Sequence, residues 1–354
     1  MGDLLCSIPA LRAIRRAAPR AHIELISLPW AASFVERFPS YLDGFIEFPG
    51  FPGLPERPVA IGRWPTFLQD VQDRAFDLVI QMHGSGNLVN SMCELFGAKN
   101  LAGYYKPGEY CPDPSTFIEY PQYGLEIDRH IELAQSLGAP ASGAGLEFPL
   151  TAVDFRELDD VSKSARLAEH NYVCLHPGAR YLSRRWPAER FAAVGDTLAD
   201  EGLRVVITGS PEETALAQNV ASLMRAPALN LAGRTTLGAL AALVSRAALV
   251  VTNDTGMSHL ADALSAPSLI LVLGSDSERW RPRDRRLHRI VSVSVDCRPC
   301  EHRVCPIDFD CALRLEPHAV VTVAKELLAI SRANAEQVPT AKQEASERNL
   351  ARVV

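Results

Sequence analysis

The sequence contains no long apolar run and no excess of basic residues. None of its apolar stretches approaches the roughly 18 to 20 residues that a membrane-spanning helix needs, and its first residues lack a signal-peptide pattern. Acidic residues (42) outnumber lysine and arginine (36), and the resulting formal net charge of −6 argues against nucleic-acid binding. We therefore predict a cytoplasmic protein that binds no nucleic acid. Peripheral contact with the inner face of the cytoplasmic membrane stays open.

The chain is long enough for two domains. Its 354 residues are 47% hydrophobic, which suffices for two cores of ordinary size. Glycine, alanine and proline accumulate from Gly138 to Val153, where we expect the boundary. We predict an N-terminal domain over residues 1–145, a C-terminal domain over 146–333 and a disordered polar tail over 334–354. Short apolar strands alternate with helices in both halves, which indicates an α/β fold.

A short apolar run, Leu249 to Val251, passes into helix-forming residues through a small polar turn. This pattern is typical of a buried parallel strand that feeds a helix, so the turn forms a helix N-terminus. Backbone N–H groups and the helix dipole favour an anion such as a diphosphate there. The candidate binding residues are Asp254, Thr255, Gly256, Ser258 and His259. The alternative is an ordinary helix cap with His259 exposed on the first turn.

A second strand, Tyr172 to Leu175, ends in the loop that contains His176 and Gly178. Because ligands of open α/β sheets bind beyond the carboxyl ends of the strands, this loop and the 252–256 turn are expected to face one crevice. The pairing predicts a nucleotide-diphosphate site. Arg184 and Arg185 follow, and arginine offers a permanent charge and planar bidentate donors to a leaving diphosphate.

A third strand, residues 203–208, is followed by Glu212 and Glu213. An acidic residue at such a strand end can accept hydrogen bonds from ribose hydroxyls. Either glutamate can instead interact favourably with the dipole of its own helix, which requires no ligand.

The N-terminal half begins without the strand that should open it. Residues 1–12 already form the turn and helix that would follow such a strand, so we expect the first strand to be encoded upstream of Met1. The alternative is a chain that simply begins with a helix. Asp3 lies at this turn, where the residues alone favour a helix N-cap over a catalytic carboxylate.

Two segments of the N-terminal half are candidates for acceptor binding. Strand 77–81 ends in a glycine-rich turn with His83, and segment 101–124, too irregular for a helix, interleaves aromatic residues with Lys106. Aromatic rings and a lysine suit sugar stacking and an anionic acceptor. His83 can equally be a structural turn residue, and segment 101–124 can equally pack on its own domain.

Four cysteines near the C-terminus have the spacing C-x2-C-x4-C-x5-C. Such spacing can supply a tetrahedral thiolate zinc site, since a cytoplasmic setting disfavours disulfides. The predicted ligands are Cys297, Cys300, Cys305 and Cys311. The alternatives are plain thiols, or a structural clip far from the catalytic centre.

Six arginines lie close together just before the cysteines. They are Arg279, Arg281, Arg283, Arg285, Arg286 and Arg289. In an acidic protein such a group can attract the phosphates of a membrane-borne acceptor, although a solvated loop is the simpler interpretation.

The sequence resembles glycosyltransferase family 9, the lipopolysaccharide heptosyltransferases. The similarity extends from Gly2 to about Ile330 and is carried by three motifs in order. They are His-Pro-Gly-Ala…Arg-Arg-Trp-Pro-Ala-Glu-Arg-Phe at 176–191, Gly-Ser-Pro-Glu-Glu at 209–213 and Asn-Asp-Thr-Gly-Met-Ser-His at 253–259. The resemblance implies two Rossmann-like domains that face each other across a cleft, the GT-B type. It also implies an inverting transferase with an ADP-heptose donor.

The resemblance also implies roles for individual residues. Asp3 becomes the general base on the acceptor side, and Arg185, directly before Trp-Pro, becomes the closer match to the family's cationic clamp, with Arg184 as an exposed neighbour. Glu212 or Glu213 matches the glutamate that binds ribose. Asp308-Phe309-Asp310 matches the Asp-x-Asp of metal-dependent transferases but lies inside the cysteine segment, so we interpret it as coincidence. We expect no cofactor for catalysis.

These observations favour transfer of heptose from ADP-heptose to a hydroxyl of a saccharide or lipid-linked saccharide of the lipopolysaccharide core. Three alternatives remain. They are a transferase for another nucleotide sugar, a nucleotide-sugar epimerase, and a catalytically silent nucleotide-sugar-binding protein.

Overall fold

A computed structural model describes residues 1–162 and 167–337, with only the backbone for 332–337. The protein is α/β and divides into two compact units. Unit 1 runs from Asp3 to Pro149, and unit 2 begins at Leu150. Within the described residues, no helix is long and apolar enough to cross a membrane.

Unit 1 alternates helices with short parallel strands. Its helices are α1 (Gly2–Ala17), α2 (Ala32–Arg37), α3 (Trp64–Asp73), α4 (Asn87–Glu94) and α5 (Glu126–Ser136), with 3-10 turns at Pro29–Ala31 and Ile61–Arg63. Its strands are β1 (Glu24–Ser27), β2 (Gly44–Glu47), β3 (Leu78–Ile80), β4 (Asn100–Tyr105) and β5 (Phe117–Glu119). The strands form two separate parallel sheets, β1-β2 and β3-β4-β5. The aromatic rings of Phe67 and Phe96 pack edge to face in the core of this unit.

Unit 2 contains one continuous parallel sheet. Its strands are β6 (Tyr172–His176), β7 (Arg204–Ile207), β8 (Ala228–Asn230), β9 (Leu249–Asn253), β10 (Ser268–Leu271) and β11 (His288–Val291). Their spatial order is β8-β7-β6-β9-β10-β11, the doubly wound order of a dinucleotide-binding fold. Strands β6 and β9 are buried along nearly their whole length because both faces of a central parallel strand are covered.

Helices surround this sheet. They are α6 (Ala152–Ser162), α7 (Ala188–Asp200), α8 (Thr214–Leu223), α9 (Leu237–Ser245), α10 (Gly256–Ala263), α11 (Ser277–Trp280), α12 (Asp310–Leu313) and α13 (Pro317–Gln337), with 3-10 turns at Leu182–Arg184 and Pro211–Glu213. The core between α7, α13 and the sheet includes Trp186, Phe191 and Leu327, all nearly inaccessible to solvent.

Two sequence-based expectations differ from the structure. Segment 101–124 contains β4 and β5, which its prolines and glycines concealed, and Tyr104 is buried with its hydroxyl donating to the Arg129 carbonyl. Tyr104 is therefore a core residue and not available for sugar stacking. Helix α13 extends to Gln337, so residues 334–337 of the predicted tail are helical, and residues 338–354 lie outside the described residues.

Candidate functional site

The strand order of unit 2 places a crevice at the carboxyl ends of β6 and β9. These strands are hydrogen-bonded neighbours from which the sheet proceeds in opposite directions, which is where doubly wound sheets bind ligands. The loop after His176 and the turn after Thr252 therefore meet there, as the sequence predicted.

Asn253 ties the two loops together. Its buried amide Nδ2 donates to the carbonyls of Pro177 (2.8 Å) and Gly178 (3.3 Å), and its Oδ1 accepts from the backbone N–H of Trp186 (3.2 Å). A fully buried amide satisfied by three backbone groups fixes the relative position of the segments it joins. Sequence reasoning missed this role, although an asparagine at a strand end was a usable signal.

The N-terminus of α10 opens into this crevice. Thr255 is its N-cap, and the threonine hydroxyl accepts from the backbone N–H of Met257 at 3.3 Å. The Ser258 hydroxyl donates to the Thr255 carbonyl at 2.7 Å. Gly256 is the first helical residue and leaves the approach to the backbone free of a side chain. This geometry is the helix N-terminus that the sequence predicted, and its binding of an anion stays a prediction.

Polar groups surround the Asp254 carboxylate. Burial raises the pKa of Asp254, and the hydroxyls of Ser275 and Ser258 and the charges of His259 and Arg184 oppose that rise. His259 is 5% exposed and its ring packs edge to face on Trp280 with centroids 6.0 Å apart. The interpretation of His259 as an exposed first-turn residue is therefore wrong.

The two arginines have different surroundings. Arg184 is half-buried, acts electrostatically on Asp254 and lies with its guanidinium 5.2 Å from the centre of the Tyr181 ring. Arg185 is also half-buried, but its Nε donates to the Ala179 carbonyl at 2.8 Å. The expectation that Arg184 is only an exposed neighbour is wrong, and Arg184 is the arginine beside Asp254.

Glu213 lies on the other side of the crevice, with His176 and Gly178. Its Oε2 accepts from the Ser210 backbone N–H at 2.9 Å, and a Cβ added to Gly178 would stand only 2.1 Å from its Oε1. Burial lowers the pKa of His176 and the Glu213 charge opposes that, so the imidazole is neutral at pH 7, with Nδ1 3.1 Å from the Thr208 hydroxyl. Glu212 is exposed. The structure thus brings Glu213, and not Glu212, to the crevice.

The predicted residues of unit 1 lie on different elements. Asp3 is exposed in the first turn of α1, whose N-cap is Met1, so its interpretation as the N-cap is wrong. His83 and Lys106 are exposed and follow the carboxyl ends of β3 and β4, which are neighbours in one sheet. The His83 Nε2 lies 4.0 Å from the Glu56 carboxylate. The two acceptor candidates therefore lie at the same end of one sheet, where its strands have their carboxyl ends.

The cysteine segment, residues 297–311, follows β11. Burial and the nearby Cys297 and Cys305 raise the pKa of Cys311, and the Arg298 guanidinium opposes that rise. The Cys300 backbone N–H donates to the Gly274 carbonyl at 2.6 Å. Across residues 1–162 and 167–337, no three His, Cys, Asp or Glu side chains converge as metal ligands, so the zinc site stays a prediction.

The chain is similar to known transferases over most of its length. The family profile described as glycosyltransferase family 9 (heptosyltransferase) matches residues 64–309. Lipopolysaccharide heptosyltransferase 2 of Escherichia coli (strain K12) is 24% identical over 306 residues, covering 83% of this chain and 85% of that protein.

Two solved structures share the fold. A glycosyl transferase family 9 protein from Veillonella parvula DSM 2008 superposes with a TM-score of 0.76 at 20% identity, covering 93% of this chain and 94% of that one. The E. coli heptosyltransferase WaaC with ADP-2-deoxy-2-fluoro heptose has a TM-score of 0.61 at 20% identity and coverages of 92% and 96%. The chain therefore belongs to glycosyltransferase family 9 and is a glycosyltransferase.

Proposed function

We propose that this enzyme transfers heptose from ADP-heptose to a hydroxyl of the lipopolysaccharide core, with inversion at the anomeric carbon. The observation that carries the donor part is the crevice between β6 and β9, which combines a helix N-terminus, Arg184 and a glutamate at the next strand end. These are the groups that a nucleoside diphosphate requires. Membership of the heptosyltransferase family supports the sugar.

Each group of the crevice has a role in this proposal. The N-terminus of α10 and the arginine pair bind the diphosphate and stabilise the charge that develops on it as the glycosidic bond breaks. Glu213 accepts hydrogen bonds from the ribose hydroxyls, with Gly178 leaving room for its carboxylate. Asp254 orients Arg184 and His259, with which it interacts electrostatically.

Asp3 is the proposed general base. Its exposed carboxylate can take the proton from an acceptor hydroxyl as that hydroxyl attacks the anomeric carbon. His83 and Lys106 are proposed acceptor-binding residues because both project from one sheet edge of unit 1. The diphosphate needs no metal ion in this scheme, since cationic side chains and the helix N-terminus carry the charge compensation.

The decisive experiment supplies purified protein with a panel of nucleotide sugars and a saccharide acceptor from a membrane extract. We expect ADP-heptose alone to give acceptor-dependent release of ADP and a product heavier by one heptose in mass spectrometry. Conversion of a nucleotide sugar without acceptor would indicate an epimerase. Donor binding without turnover would indicate a silent binding protein, and turnover of another nucleotide sugar would change the donor.

We also propose that the enzyme acts in the cytoplasm, in peripheral contact with the inner face of the membrane. Arg283, Arg285, Arg286 and Arg289 are exposed, and all but the last precede β11 at the amino ends of the strands, away from the crevice. They are thus better placed to contact anionic lipid than the donor. The wild-type protein should sediment with anionic vesicles but not with neutral ones. The double variant Arg285→Glu/Arg286→Glu should no longer sediment with the anionic vesicles. Equal sedimentation of that variant would exclude this surface.

A further inference from the structure

The cysteine segment packs against the rim of the donor crevice. Arg298 Nε donates to the Leu273 carbonyl at 2.8 Å, and the Cys300 backbone N–H donates to the next carbonyl, that of Gly274. These two bonds hold the chain between β10 and Ser275, whose hydroxyl lies beside Asp254. The segment is thus part of the crevice wall, and its interpretation as a clip far from the catalytic centre is wrong.

The same segment also holds the residue before Arg184. The Ser183 backbone N–H donates to the Arg303 carbonyl at 3.2 Å, and the buried Ser183 hydroxyl donates to the His302 carbonyl. The 3-10 turn Leu182–Arg184 is therefore fastened to the cysteine segment by both main-chain and side-chain bonds.

Gly274 brings these contacts into one packed group. A Cβ at this position would stand 3.3 Å from the Cys300 Cβ, 3.6 Å from the Ser183 carbonyl oxygen and 3.9 Å from the Arg184 Cγ. The cysteine segment, the chain after β10 and the stem of Arg184 thus surround the space that a side chain at position 274 would fill. We expect a displacement of the segment to shift Arg184 as well, because closely packed groups move together.

We propose that the cysteine segment positions Arg184 for the donor diphosphate, with Arg298 and Ser183 as positioning residues. The inference rests on the proposed donor site. Neither residue touches the donor in this scheme. Each fixes, through hydrogen bonds to backbone carbonyls, the wall against which the Arg184 side chain packs.

The test measures ADP affinity by isothermal titration calorimetry in Arg298→Ala, Ser183→Ala and Arg184→Ala and in the double variant Arg184→Ala/Arg298→Ala. Each positioning variant should weaken ADP binding by about fivefold, the scale of one hydrogen bond. In the double variant, loss of Arg298 should add less than about twofold to the effect of Arg184→Ala, because the lost residue acts only through Arg184. A general loss of structure would instead give additive effects, and additivity would overturn the proposal.

Arg314→Ala is the matched control. This arginine directly follows α12, three residues after the end of the cysteine segment, is more than half exposed and pairs with Asp310 at 3.1 Å. Its removal should leave ADP affinity unchanged. Ser183→Ala removes a single oxygen atom, so it tests the proposal even if Arg298→Ala fails to fold, and wild-type affinity in Ser183→Ala would then overturn it. A wild-type protein that does not bind ADP contradicts the donor assignment instead, and the cycle is then repeated with the nucleoside diphosphate that binds.

Discussion

The two units build their sheets differently. In unit 2 the first strand, β6, lies in the middle of the sheet and pairs with both β7 and β9. In unit 1, among the described residues, β1 pairs only with β2, and β3 pairs only with β4. No strand of unit 1 therefore joins β1 to β3 in the way that β6 joins β7 to β9. The residues of β1 are all half-buried and Leu78 of β3 is 40% exposed, whereas β9 is buried throughout.

We expect this difference to separate two tasks, donor binding in unit 2 and turnover in unit 1. A central strand with partners on both sides fixes the segments at its carboxyl end, and all the predicted donor-binding residues lie at or beyond the carboxyl ends of such strands in unit 2. Unit 1 carries Asp3, His83 and Lys106 on exposed positions of a less continuous scaffold. We therefore expect changes in unit 2 to alter donor binding and changes in unit 1 to alter turnover.

The sharpest test of this division is Asp3→Asn. It should lower kcat by about 100-fold or more, the scale of lost general-base catalysis, and leave the Kd for ADP unchanged. Steady-state kinetics and calorimetry on the same preparation measure both quantities. Near-normal turnover in this variant would remove Asp3 from the mechanism, and weakened ADP binding would remove the separation between the units.

The next test compares the arginines within unit 2. Arg184→Ala should weaken ADP binding by roughly tenfold to a hundredfold, the scale of a hydrogen bond to a charged group, and should lower kcat as well. Arg185→Ala should also lower both, but by less, because its Nε is committed to the Ala179 carbonyl. If Arg185→Ala has the larger effect, the arginine directly before Trp186 is the clamp and the one beside Asp254 is secondary.

Hydrogen exchange tests the comparison of the sheets directly. Backbone amides of β1 and β3 should exchange at least about tenfold faster than those of β6 and β9, because strands with one partner open locally at lower cost. Strands β8 and β11, the edges of the unit 2 sheet, are the matched controls and should resemble β1. Protection of β1 and β3 equal to that of β6 would show that the division of the sheet has no energetic consequence.

The smallest expected effect concerns the predicted zinc. Purified protein should hold about one zinc ion per chain, and chelation should lower the melting temperature by a few degrees without removing a catalytic group. Elemental analysis and thermal unfolding with and without chelator check this. Metal-free protein of full stability would favour plain thiols.

The sequence predicted the backbone of the proposed donor site better than its side chains. The apolar runs at 172–175 and 249–251 and the small turn residues specify strand, turn and helix, and the α/β topology then brings the loops of Asn253 and Gly178 together. The sequence could not decide between two adjacent residues of the same type. Which of Glu212 and Glu213 faces the crevice depends on the hydrogen bond between Glu213 and the Ser210 N–H. The choice between Arg184 and Arg185 likewise depends on the bond from Arg185 to the Ala179 carbonyl.

Contacts between segments that are distant in sequence could not be predicted from the sequence, for a different reason. Spacing suggested that the four cysteines act as one group, but it gave no sign that the Cys300 backbone is hydrogen-bonded to Gly274 or that Cys297 and Cys305 lie near Cys311. Strand β5 has only three residues, and β4 contains a glycine between its apolar residues, so no periodicity identified them. Tertiary packing determines these arrangements, and local sequence propensity carries no information about that packing.

The contact between Gly178 and Glu213 gives these two positions a single mutational phenotype. Since φ at Gly178 is unstrained and the three atoms nearest to an added Cβ are the carboxylate atoms of Glu213, we expect an alanine there to displace that carboxylate and leave the backbone intact. The displaced carboxylate would also release the Ser210 N–H that it accepts from. In a mutational scan, Gly178→Ala should therefore reproduce the nucleotide-binding defect of Glu213→Ala with a well-folded protein, and combining the two substitutions should add little. Glu213, 35 residues further along the chain, thus occupies the space that a side chain at position 178 would need. We therefore expect positions 178 and 213 to vary together.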